Sequence, residues 1–198
     1  MNHQKANQPA RPIGPHGGYE KLASYQVAEI MFDATVAFCR RFFHTRSRTA
    51  EQMVQAARSG KQNIAEGSVV SGTSRKTELK LSQVARASQE ELRKDYQDFL
   101  RGRGLLVWAK DDVEARAVRR LARVPNRSYA TYRDRVERGS PEVAANTLLC
   151  LVHQASFLLD RQIRVLEQQF LDEGGFTERL YQARSRRRDG GEGRSPRQ

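Results

Sequence analysis

A chain of 198 residues with a mean hydropathy of −0.75 is long enough for one domain with a hydrophobic core and short for two. Its 35 basic side chains against 23 acidic ones leave +12, dominated by arginine, which favours polyanionic partners: RNA, DNA or an acidic protein face. No apolar run reaches the roughly 18 to 20 residues of a membrane span, the first residues lack a hydrophobic signal core, and Cys39 and Cys150 share no CxxC spacing. No membrane partner, disulfide framework or metal site is therefore expected, and a reducing, cytoplasmic location is.

Residues 1–18 are rich in Pro, Gly, Asn and Gln and read as a disordered tail. From Glu20 to about Phe43, Val27, Ile30, Met31, Ala34, Ala37, Phe38 and Phe42 recur at helical spacing. Arg40, Arg41 and His44 at the end of this first helix complement its negative terminus, a role that competes with ligand binding.

Ser47 or Thr49 caps a second helix, with Glu51 in its first turn. Along it Met53, Ala56, Ala57, Gly60, Ile64 and Gly67 form a stripe of unusually small residues that lets a partner helix approach closely. Gly60 inside a helix costs about 1 kcal/mol relative to alanine, which close packing must offset. A turn from Gly67 to Thr73 leads to a third helix, capped by Ser74 and running to about Leu100 or Arg101, where Gly102 and Gly104 stop it. Its apolar stripe is Leu81, Val84, Ala85, Ser88, Leu92, Tyr96 and Phe99, narrow at first and wide later. Gln89, Glu90, Arg93, Lys94 and Gln97 read as its solvent face.

The stretch from Arg101 to Ser140 is an insert. Its Leu105–Trp108 segment is the only alternating run of strand type in the chain. A short helix starts at Asp111 to Glu114 and runs through Val124 to Pro125, and Ser128 to Arg138 forms another short helix or an ordered loop. Gly139-Ser140-Pro141-Glu142 combines a break, a cap, a first-position proline and an early acid, so a long helix starts there and continues to about Phe170. Leu149, Cys150 and Phe157 widen its apolar surface beyond one stripe, which calls for a second cover: the insert or another subunit. Gly174-Gly175 ends it, one more turn follows at 176–180, and residues 181–198 read as a flexible basic tail of net charge +4. With +2 in the first eighteen residues, six positive charges remain on the body.

Helical spacing throughout makes the chain all-α: an antiparallel up-down four-helix bundle over 19–180, with a short helical insert at about 101–140 before the last long helix. The chain has no P-loop, GxGxxG, HExxH, GxSxG or paired Cys/His spacing, so no enzyme, cofactor or metal is expected. His153 reads as a structural histidine near the core, and Glu66 as a helix-end acid with a hydrogen-bond partner. The residues that do point to a ligand are Arg116, Arg119, Arg120, Arg123, Arg127, Arg133, Arg135 and Arg138, interleaved with Tyr129 and Tyr132. Guanidinium groups reach phosphates and tyrosine rings stack on unpaired bases, and no groove-reading motif accompanies them, so binding without sequence preference is expected.

The segment Asn63-Ile64-Ala65-Glu66-Gly67, a Ser/Gly turn, and then Ala85, Ala87, Ser88, Glu91 and Leu92 resembles a bacterial four-helix-bundle family first named for proteins encoded in 23S rRNA intervening sequences. The likeness covers 19–100, and the last helix by pattern. That family includes the accessory variability determinant of diversity-generating retroelements, a basic pentamer that associates with reverse transcriptase and nucleic acid. The insert and tails make this chain more like the variant with a suffix region. The resemblance implies a bundle and a ring-like homo-oligomer, most simply a homopentamer. Together with the charge it implies a non-enzymatic nucleic-acid-binding accessory protein, the alternative being an assembly adaptor whose basic face binds an acidic protein.

Overall fold

The structure is a computed structural model describing residues 17–173 and 176–189. Every regular element among them is helical, after a 3-10 turn at Tyr19–Lys21: α1 Ala23–Phe42, α2 Arg48–Val70, α3 Arg75–Arg101, α4 Val113–Leu121, α5 Arg133–Glu137, α6 Pro141–Glu173 and α7 Phe176–Asp189. The expected N-terminal tail lies outside the described residues except Gly17 and Gly18. Gly17 is tied to α2 by its N–H on the Ser68 carbonyl at 2.9 Å and by the Ser68 hydroxyl on its own carbonyl at 3.1 Å.

The caps explain where the helices begin. Ser47 Oγ accepts the Ala50 N–H at 3.3 Å, Ser74 Oγ accepts the Thr77 N–H at 3.2 Å, and Ser140 Oγ accepts the Val143 N–H at 3.2 Å. Thr49, the other candidate cap, lies inside α2. Two ends differ from the expectation. Helix α2 runs a full turn past Gly67, because Ser68, Val69 and Val70 contain no breaker and Gly67 is needed only for its contact with α3. Helix α7 continues to Asp189 where a tail was expected from residue 181, since no glycine or proline interrupts 176–189. Residues 190–198 lie outside the described set.

Helix α1 packs on α2 and α6, and α3 packs on α2 and α6, so each of the four long helices has two long neighbours. Their inward faces form the core: Val27, Met31, Ala34 and Phe38 of α1, Met53, Ala57 and Ile64 of α2, Leu92 and Tyr96 of α3, and Leu148, Leu151, Val152 and Ala155 of α6. The small stripe lies against α3 as its residue sizes dictate. A β-carbon on Gly67 would sit 3.4 Å from the Glu78 carbonyl and 3.5 Å from Leu81 Cβ, whereas one on Gly60 would meet nothing closer than 3.8 Å. Core width grows along α3, from a cluster of Ala28, Ile64, Ala85 and Leu159 to an aromatic cluster of Phe38, Phe42, Phe43, Tyr96 and Phe99. The Tyr96 hydroxyl is satisfied at 2.8 Å by Thr35, whose own hydroxyl also reaches the Met31 carbonyl.

Three side chains sit on faces other than those expected. Val84 is exposed and Gln89 is wholly buried, because the face of α3 that meets its neighbours runs through Ser82, Ala85, Gln89, Leu92 and Tyr96. His153 points out from α6, where burial and the nearby Arg93 hold its imidazole below its ordinary pKa. It borders an ion-pair seam in which Arg86 bonds Asp160 of α6 at 2.8 Å and Glu90 bonds Arg93. Glu90 also makes an i to i+4 pair with Arg86, at 3.8 Å.

The surplus apolar surface of α6 is covered by the insert over its first half. Leu149 is buried, Cys150 packs against the core, and α4 and α5 both lie on this helix. Phe157 remains 61% exposed. Although polar residues interrupt its apolar run, Pro141–Asp172 is long and apolar enough to span a bilayer by length and composition alone. More than half of its most apolar window, 56%, is buried inside the protein, as in a core helix.

One acid on α3 sets a pH dependence. Burial pushes the Asp95 carboxyl up to about 6, with Glu91 and Asp98 adding like charge. The folded protein then holds this proton more tightly than the unfolded chain, so the associated stability is present in acid and lost as pH rises through about 6. Asp95→Asn is expected to raise stability at neutral pH by on the order of 1 kcal/mol once solvent screening is allowed for, and the Tm with it, and to leave both unchanged below the ordinary carboxylate range. Melting curves at the two pH values check this; an equal gain at both would remove the titration as its cause.

Candidate nucleic-acid interface

The insert is built on α6. The α3–α4 connection does not form the strand its alternation predicts. It is an extended segment held by Asn146, whose side-chain oxygen accepts the Trp108 N–H at 2.9 Å and whose amide donates to the Leu106 carbonyl at 2.8 Å. Trp108 Nε1 reaches Glu142 at 3.3 Å. One polar residue of α6 does here what a neighbouring strand would do. Helix α4 follows, seated through Ala115 and Val118, and the Asp112 carboxylate before it accepts the Ala109 N–H at 2.7 Å, which closes the turn into the helix.

With Ala115 and Val118 facing inward, α4 turns Arg116, Arg119 and Arg120 to solvent, and Arg123 is exposed just past its end. Arg119 donates to the Lys110 carbonyl. Among the described residues Arg116, Arg120 and Arg123 have no acidic side chain within ion-pair distance. Arg133 on α5 and Arg138 just past its end are exposed and pair only loosely, with Glu137 at 3.8 Å and Asp134 at 3.5 Å. Exposed pairs of this kind contribute little and do not commit the guanidinium. Helices α4 and α5 both pack on α6.

Two of the expected residues face the other way, and one is inside. Arg127 and Tyr129 line a cleft of about 370 Å³ whose opposite wall is Glu20, Glu29 and Asp33 of the N-terminal part of the chain. The Tyr129 hydroxyl donates to Glu137 at 2.7 Å, and burial together with that acid raises its pKa. Tyr132 is buried in the core beneath α5, so stacking on a base is closed to it. Its side chain anchors the insert instead, as apolar spacing with Val136 requires.

A second set of arginines lies outside α4 and α5, and of these Arg40 and Arg41 carry in the sequence only a helix-end role. Arg41 Nη1 donates to the Val136 carbonyl of α5 at 2.9 Å, and Arg103 donates to the Phe42 carbonyl and lies 3.8 Å over the Phe99 ring. These contacts bring the end of α1, the α1–α2 connection and the end of α3 to the same end of the molecule as α5. Arg40, Arg46, Arg48 and Arg101 stand exposed on those segments, and Arg101 pairs with Asp98 at 2.9 Å on the surface. In sequence these groups are sixty residues apart and each has a bland local role; no local signal joins them.

The chemistry for other functions is sparse. Among the described residues no three His, Cys, Asp or Glu side chains gather as a metal site. Burial pushes the Cys39 thiol up to about 12, so it is not a reactive thiolate. In the Asn63 to Gly67 motif, Asn63 bonds back to Ser59, Ile64 and Gly67 face α3, and Glu66 is exposed. The described residues give Glu66 no side-chain hydrogen bond or ion pair, so the motif acts in packing. A groove of about 530 Å³ at the far end of the long helices has Glu78 in its lining, a largely buried carboxyl whose Oε2 has no hydrogen-bond partner among the described residues and whose pKa burial raises. Comparison of the chain with protein-family models, curated proteins and solved structures gives no match.

Proposed function

We propose that this chain is a non-enzymatic, cytoplasmic protein that binds RNA or DNA without sequence preference. The phosphates would lie across the exposed arginines of α4 and the basic end formed by α1, α3 and α5. The observation that carries this reading is the convergence of exposed arginines from four segments, the ends of α1 and α3, the α1–α2 connection and α5, through Arg41 on Val136 and Arg103 on Phe42. Guanidinium forks suit phosphate bidentately, and held on short helices they need little reordering to bind. In the same reading the four long helices are an up-down antiparallel bundle of the intervening-sequence type, and the chain forms a homo-oligomer, a pentamer by resemblance. Exposed Phe157 and Val165 on α6 favour such an assembly, and light scattering would give its mass.

Affinity for labelled oligonucleotides of unrelated sequence is expected to fall linearly in log salt, by about 0.9 log units per decade of salt for each phosphate neutralised on duplex DNA. Arg116→Glu, Arg119→Glu, Arg120→Glu and Arg123→Glu together are expected to lower affinity at least about a hundredfold and flatten the slope, with helicity unchanged. Retained affinity in this variant would move the site off α4, and absence of binding at low salt in the native chain would leave the adaptor reading, in which the same face docks an acidic protein.

A further inference from the structure

Beside the arginines lies a feature that phosphate contacts leave unused. Leu106 is 73% exposed and Val107 51%, and Val113 at the start of α4 is exposed too. Isolated exposed aliphatics are ordinary. This pair is held still: Asn146, itself buried, bonds the residues on either side of Val107, and the Leu105 N–H is fixed on the Leu100 carbonyl at 3.0 Å. Ordering a connection costs conformational entropy, and here it displays two apolar side chains that keep half or more of their surface in solvent. Arg101 and Arg103 precede them, Lys110 follows, and Arg119 is anchored on the Lys110 carbonyl.

Resting on the reading of these arginines as phosphate contacts, we propose that Leu106 and Val107 cover the faces of unpaired bases, so that the surface takes single-stranded RNA or DNA in preference to duplex. A duplex buries its base faces by stacking and offers phosphates and edges. An aliphatic side chain beside arginines gains burial against the apolar face of an unstacked base, which a duplex does not offer. An anionic membrane offers the same two chemistries, but Asp111, Asp112 and Glu114 stand between Lys110 and Arg116 and would be pressed into the headgroup layer with them. A single strand can pass along the arginines and leave those acids in water.

The test uses the full chain with a labelled uridine homopolymer, its duplex with the adenosine homopolymer, sodium polyphosphate, and vesicles of anionic lipid. The native chain is expected to bind the single strand at least about tenfold more tightly than the duplex. Leu106→Ser with Val107→Ser is expected to remove that preference while leaving polyphosphate affinity unchanged. Both side chains are exposed, so circular dichroism should match the native chain. Asn146→Ala, which keeps the aliphatics and frees the segment, is expected to lose part of the preference and to shift the emission of Trp108, the single tryptophan. Equal affinity for strand and duplex, or a serine variant that keeps the preference, overturns this inference while polyphosphate binding upholds the phosphate reading. Failure to bind any of the polyanions removes both. Vesicle binding that the serine variant loses, without strand preference, overturns the inference in favour of a membrane.

Discussion

Gly139→Ala is expected to destabilise the protein by on the order of 3 kcal/mol, and Gly60→Ala to leave it as stable or gain up to about 1 kcal/mol. Both glycines look structural in the sequence, and their surroundings separate them. A β-carbon at Gly139 would lie 2.3 Å from the Arg135 carbonyl oxygen and 2.8 Å from Val143 Cγ1, and the first of these is backbone that cannot swing aside. The Gly139 N–H also closes the end of α5 on the Asp134 carbonyl at 3.0 Å, one residue before Ser140 caps α6. Relief of the clash would shift α5, and with it Tyr132, Val136 and the carbonyl that Arg41 holds. At Gly60 the nearest atoms to an added methyl are 3.8 Å away, in ordinary contact with α3, so the helix-propensity gain of alanine is free to appear. Thermal melts of the two variants decide the matter: a native Tm for Gly139→Ala would refute the tight α5–α6 junction, and a large loss for Gly60→Ala would restore the stricter packing expected from the stripe.

Gln89→Leu is expected to stabilise the protein by about 1 to 3 kcal/mol, the cost of a buried amide left without hydrogen bonds. Gln89 is fully buried on α3 opposite Gly60, and neither its Nε2 nor its Oε1 has a partner among the described residues. Leucine is close in volume and brings no polar atom to desolvate. Gln89→Glu, which would place a charge in the same site, is expected to destabilise the protein. Denaturant titration measures both. A fall in stability for Gln89→Leu would mean that the amide is bonded, through a buried water, and that its polar contact holds the register of α2 and α3.

Gln89 also shows how far the sequence could be read. By position it belongs to the stripe of Ala85, Leu92 and Tyr96, but its amide argued for solvent, and side-chain chemistry outweighed spacing. Tyr132 failed in the opposite way: its place among arginines argued for a surface role, while its spacing with Val136 matched the core it occupies. The exposed Arg116, Arg119 and Arg120 of α4 were legible, because Ala115 and Val118 define an inward face and leave the rest of a short helix to solvent. Arg40, Arg46, Arg48, Arg101 and Arg103 were not legible as a group, because only the folding of α1, α3 and α5 to one end brings them together.

What the amino-acid order determined by itself is what depends on neighbours within a turn: the serine caps, the helical class, the narrow stripe on α2 and the break at Gly139-Ser140-Pro141. These follow from backbone propensity and capping, which act over a few residues. Tertiary structure decided which face of each helix received a partner, whether a glycine had room beside it, and which distant charges share a surface. Those outcomes depend on helices far apart in the chain, and the spacing within any one helix holds no record of them.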